Sequence, residues 1–142
     1  MPTRAQLSKT EEKQGGHTDL MRAALGGDIN KLKVSLAAGA DVNERDDEGR
    51  TPLMFAAVNR ETRCANELLQ HGADVNVKAN DGGTALMLAA SSGDAELVKV
   101  FLARGADISS KYVETGQTAL MIAKDHGYDD IVELLQAADA LF

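Results

Sequence analysis

Thr18, Thr51, Thr84 and Thr118 recur at one nearly constant interval, and in each case the chain continues after one intervening residue with Leu and then Met. Gly39-Ala40-Asp41-Val42-Asn43 returns at the same interval as Gly72-Ala73-Asp74-Val75-Asn76, and again in weakened form as Gly105-Ala106-Asp107-Ile108-Ser109. Independent markers sharing one period leave little room for any fold except a stack of like units. A unit this short cannot bury its apolar face alone, so neighbours must cover one another.

Within each period the residues read as two short helices. In the second, Thr51 caps the free N–H groups of a first helix and Pro52 sits where its missing N–H costs nothing. Ala56-Ala57 gives that helix a smooth side for close approach, Leu68-Leu69 supplies the apolar face of a second helix, and Gly72 ends it. The residues that lead into the next repeat are polar and turn-forming, as a protruding loop should be. Composition agrees: Trp is absent and aromatics are 4% of 142 residues, so the core must be built from Ala, Leu, Val, Ile and Met.

From about Gly16 to Ala138 the chain resembles the ankyrin-repeat family. Gly49-Arg50-Thr51-Pro52-Leu53-Met54 and the run from Gly72 to Asn76 follow the family pattern almost letter for letter, while Ala85 and Ala119 replace its proline. The resemblance implies an all-α, single-domain solenoid of four repeats, at roughly 16–46, 47–79, 80–112 and 113–142, behind a flexible N-terminal tail over 1–15. Met21, Met54, Met87 and Met121 stand where the family has histidine, and packing is the favoured reading over a methionine-lined binding stripe. Arg60-Glu61-Thr62-Arg63 replaces the family's Gly-His turn, which predicts a distorted turn in the second repeat.

Both ends read as closed. Gln136 replaces Leu69 and Leu102, and Lys124 replaces Ala57 and Ala90. Arg22, Lys31 and Ser35 stand where Phe55, Cys64 and Leu68 follow one repeat later. Polar outer faces of this kind are what end repeats require, so the array is expected to be complete and monomeric.

The formal charge is −7, which disfavours nucleic acid and anionic membrane surfaces as principal partners. Cys64 is the only cysteine, so no intrachain disulfide forms and a reducing, cytoplasmic setting is expected. No secretory leader and no apolar run of membrane-spanning length is evident. His17, His71 and His126 lack ligand spacing and read as surface residues, and Cys64 reads as a buried thiol. Asp46-Asp47-Glu48-Gly49 has the wrong alternation for a calcium loop, and neither a phosphate-binding glycine loop nor a serine elbow is present. No enzyme, cofactor or metal is expected.

The resemblance implies protein binding on a concave face made by the loops, called fingers, and the first helices. The role implied is that of a soluble adaptor or regulator, alternatively a small ankyrin-type enzyme inhibitor; a catalytic or metal protein on a repeat scaffold is the weaker reading. Finger one offers Glu44, Arg45, Asp46, Asp47, Glu48 and Arg50; finger two Lys78, Asn80, Asp81 and Gly83; finger three Lys111, Tyr112, Glu114, Thr115 and Gln117. The first helices would add Val58, Asn59, Ser91, Ser92, Asp125 and His126. Finger one carries four acids against two arginines, which reads either as a solvated loop or as a match for a basic patch on a partner protein. Finger three is one residue longer, and its Tyr112 is equally an interface anchor or a residue packed on the neighbouring finger.

Overall fold

A computed structural model describes residues 16–140. The tail expected over 1–15 and the last two residues of the expected repeat domain lie outside them. Among the described residues the chain forms eight helices: α1 (Asp19–Gly26), α2 (Ile29–Ala37), α3 (Pro52–Val58), α4 (Thr62–Gln70), α5 (Ala85–Ser92), α6 (Ala95–Ala103), α7 (Ala119–His126) and α8 (Asp129–Asp139).

The periodic threonines start the odd-numbered helices. The hydroxyl oxygens of Thr18, Thr51, Thr84 and Thr118 accept from the amides of Met21, Met54, Met87 and Met121 at 3.2, 3.4, 3.3 and 3.3 Å. Each such cap contributes about 1 kcal/mol. Asp28 and Asp94 do the same for α2 and α6, accepting from Lys31 and Leu97. In that register α4 and α8 have Glu61 and Tyr128, which make no side-chain cap bond.

Between the paired helices one residue turns left-handed: Gly27, Gly93 and Gly127 have φ of 71°, 73° and 72°. In the second repeat Arg60 takes the same conformation with φ 59°, the only non-glycine among the described residues to do so. The turn expected to be distorted keeps this left-handed residue, but α3 ends one residue earlier than its counterparts, at Val58, and Asn59 leaves the helix with φ −109°. A non-glycine residue held in this conformation is strained.

The odd-numbered helices lie side by side in one row, α1 on α3, α3 on α5 and α5 on α7, and the even-numbered helices form a second row behind them. Paired alanines make the first row tight: Ala23-Ala24, Ala56-Ala57 and Ala89-Ala90 are all buried. Leu32, Leu68, Leu97 and Leu135 fill the space between rows. Cys64 is buried among them, its thiol directed at the carbonyl of Ala23, and burial pushes its pKa up.

The recurring asparagines stitch one repeat to the next. Asn43 donates to the carbonyl of Gly72 and accepts from the amide of Asp74, at 3.3 and 2.8 Å. Asn76 repeats both bonds with Gly105 and Asp107, at 3.0 and 2.7 Å. At the third position, among the described residues, Ser109 bonds within its own turn, to Asp107.

Met21, Met54 and Met87 are 1–2% exposed, in keeping with packing, but Met121 is 49% exposed. The buried three are each covered by the helix pair that follows, and among the described residues no pair follows α8. Lys124 and Gln136 are exposed at the same end, as are Asp129, Asp130 and Glu133. At the other end Lys31 is exposed, with Arg22 and Ser35 half-buried.

Candidate functional site

The three fingers form one hydrogen-bonded shelf. Arg45 of finger one donates through Nε to Gly49 O and through its guanidinium to the carbonyl of Lys78 in finger two. Asn80 closes the same junction, its amide donating to Glu48 O at 2.9 Å and its side chain to Asp47 O at 3.2 Å. Finger two then accepts at Asp81 O from the amide of Val113, again at 2.9 Å. The base of finger three is pinned by an antiparallel bridge between Lys111 and Thr118.

Finger one is organised by Asp46, whose side chain is only 1% exposed. Its Oδ1 accepts from the amides of Glu48 and Arg50, at 3.0 and 2.8 Å, and its Oδ2 from Arg50 Nε at 2.8 Å. Burial pushes the Asp46 pKa up, but these bonds and the Arg50 charge outweigh it and hold the carboxyl below its ordinary value. His17 Nε2 lies 3.4 Å from the same carboxylate and its ring meets Phe55 edge-on; the Arg50 guanidinium lies 5.1 Å from the centre of the Phe55 ring. Arg50 is thus half-buried in an internal pair with Asp46. Glu44 receives a short hydrogen bond from the Thr18 hydroxyl. The exposed charges of finger one are Arg45, Asp47 and Glu48, the last 73% exposed at its side chain and 3.8 Å from the Arg50 guanidinium.

In finger two Lys78, Asn80 and Asp81 are exposed at their side chains, although Asp81 also accepts from the amide of Gly83 at 2.9 Å. Gly83 is buried under Tyr112: a Cβ there would come within 2.9 Å of the tyrosine ring. Tyr112 is half-buried, and burial, then the Asp81 charge, raises its pKa. Of the two readings of this tyrosine, packing on the neighbouring finger matches its position. The exposed apolar residue of finger three is Val113, at 76%. Lys111, Glu114 and Thr115 are exposed, and Gln117 bonds through Nε2 to Asp125 Oδ2 at 2.9 Å.

On the inner face, positions expected as one set divide into two rows. Asn59, Ser92 and His126 turn polar atoms inward. Asn59 Nδ2 donates to Leu25 O at 2.6 Å, the Ser92 hydroxyl lies 2.8 Å from Leu88 O and 3.2 Å from Ala57 O and Val58 O, and His126 Nδ1 lies 2.9 Å from Ile122 O. Val58, Ser91 and Asp125 leave their side chains outward, Val58 at 48% exposure. Leu25, 38% exposed and one period before Val58, belongs with them. Neither Leu25 nor Val113 was singled out by sequence reasoning. For Leu25 the signal was its register; for Val113 none separated it from Tyr112.

Among the described residues no three His, Cys, Asp or Glu side chains are grouped as a metal site needs, and no helix is long and apolar enough to cross a membrane. A family model described as ankyrin repeats (3 copies) matches residues 20–112 and again 80–140. No curated protein matches the chain.

Proposed function

The chain belongs to the ankyrin-repeat family, and from that premise we propose that it is a protein-docking adaptor or regulator that holds a partner on the concave face of its fingers and inner helices. Ankyrin repeats are in general protein–protein interaction modules and are typically non-catalytic. The observation that carries the reading is the contrast within the fingers. The fingers are tied to one another through Arg45, Asn80 and Val113, while the side chains of Asp47, Glu48 and Glu114 are exposed to solvent. A surface ordered before the partner arrives loses less entropy on binding, and more of the contact energy appears as affinity.

The candidate contact residues are Arg45, Asp47, Glu48, Arg50, Val58, Asn59, Lys78, Asn80, Asp81, Ser91, Ser92, Lys111, Tyr112, Glu114, Gln117, Asp125 and His126. Asp47 and Glu48 favour a basic patch on the partner, acting chiefly on encounter rate and specificity. A monomer in a reducing, cytoplasmic setting is part of the reading; the exposed Lys124 and Gln136 at one end and the lone, buried Cys64 support it.

The test is capture from the native host followed by titration of the captured protein. Asp47→Arg with Glu48→Arg should weaken binding at least tenfold and leave the melting temperature unchanged. Captured proteins that hold this variant as tightly as the parent refute docking on finger one.

A further inference from the structure

Taking the concave face as the docking face, as proposed above, we infer that its inner helices select an amphipathic segment of the partner. One apolar side chain of that segment seats on Leu25 and Val58, and a Lys or Arg further along reaches Asp125.

Four side chains occupy equivalent places on α1, α3, α5 and α7: Leu25, Val58, Ser91 and Asp125. The next residue in each repeat is Gly26, Asn59, Ser92 or His126, and the last three bind carbonyls of their own or the preceding inner helix. Those bonds cover backbone acceptors beside the Leu25-to-Asp125 row, which is open to solvent at Leu25, Val58 and Asp125. The Asn59 bond to the Leu25 carbonyl also fixes α3 against α1 at this point, so Leu25 and Val58 sit beside each other.

The row is graded. Leu25 and Val58 are 38% and 48% exposed and stand outside the buried core. Their successors are a half-exposed serine and an exposed aspartate, which Gln117 holds from finger three at 2.9 Å. A ligand lying along the groove therefore meets an apolar step at one end and an anchored carboxylate at the other. Leaving a cation unpaired over the apolar step, or an apolar group over Asp125, is unfavourable, so the grading also sets the direction in which the segment lies.

The experiment is a selection of displayed random 15-residue peptides against the full chain, with the winners titrated against three variants. Peptides holding one large aliphatic or aromatic residue and a Lys or Arg at a shared separation are expected. Leu25→Ser with Val58→Ser should weaken them at least tenfold, and Asp125→Lys should weaken those with the basic residue and spare analogues in which it is replaced by Ala. Circular dichroism and melting curves confirm that the variants remain folded. Winners that bind the Leu25→Ser, Val58→Ser protein undiminished overturn the inference, as does a selection yielding no shared pattern. If those winners are instead lost on Asp47→Arg with Glu48→Arg, docking on the concave face survives and only the apolar step falls. If neither pair of substitutions matters, both readings fall.

Discussion

Arg60 occupies a backbone conformation that three glycines hold in the equivalent turns, so replacing it with glycine should stabilise the fold. A left-handed residue with a side chain costs about 1–2 kcal/mol relative to its preferred region. Glycine relieves that cost but brings a more flexible unfolded chain, which takes back about 0.4–1 kcal/mol. Among the described residues no hydrogen bond or ion pair of the Arg60 side chain has to be given up, since it is exposed and turned to solvent. The net gain for Arg60→Gly, from those two opposing effects, is then about 0.5–1 kcal/mol. With an unfolding entropy near 2.1 cal/mol/K per residue, that raises the melting temperature by about 2–3 °C for a chain of this size. Differential scanning calorimetry with an Arg60→Ala control measures it. The control removes the same side chain and keeps the strain, so it should melt within a degree of the parent. Equal melting of Arg60→Gly and Arg60→Ala would falsify the strain argument, because the left-handed backbone would then carry no cost.

Asp46 has its folded pKa held down, so its stabilisation is present above the ordinary carboxylate range and is lost as pH falls through that range toward the folded value. Asp46→Asn should therefore destabilise by about 1.5–3 kcal/mol at pH 7, and the gap from the parent should close as urea melts are taken down through about pH 4; a gap that is flat with pH refutes the charged-carboxylate account. In the interior, Leu97 is fully buried between the two helix rows, and Leu97→Ala should cost about 2–5 kcal/mol. Because each repeat leans only on its neighbours, hydrogen exchange should rise most across α5 to α8, and a uniform rise along the chain counts against the one-dimensional stack.

The periodic residues were legible because each does the same job four times. A threonine that recurs at a fixed interval ahead of Leu-Met can be read as a cap before any coordinates exist, and the Thr18, Thr51, Thr84 and Thr118 bonds are that cap. Residues that occur once were harder. Asp46 in an Asp-Asp-Glu-Gly run looks like one more solvated charge; only the folded loop brings two amides and a guanidinium onto it. Arg60 stands where the other repeats have glycine, and only the folded turn shows that it takes glycine's left-handed conformation. Tyr112 stayed open because its burial depends on Gly83, which belongs to the preceding finger and lies directly beneath the ring. Met121 shares its local sequence with Met21, Met54 and Met87, and differs only in what lies beyond it.

The same distinction separates scaffold from recognition on the inner face. Substitutions at exposed positions with no internal bonds usually change stability by less than about 0.5 kcal/mol, so folding alone exerts little pressure on what stands there. Asn59 and Ser92 are outside that class, since removing either uncovers a carbonyl of a neighbouring turn. Leu25, Val58 and Ser91 are inside it, and Asp125 differs from them by the one bond it accepts from Gln117. A lone exposed aliphatic such as Val34 on α2 needs no explanation, because folded proteins carry many. Two in adjacent repeats at one register, with a serine and then an aspartate continuing the line, form a gradient that stacking does not require. That gradient points to a requirement outside the stack, and a partner lying along the groove is one that all four positions can meet together.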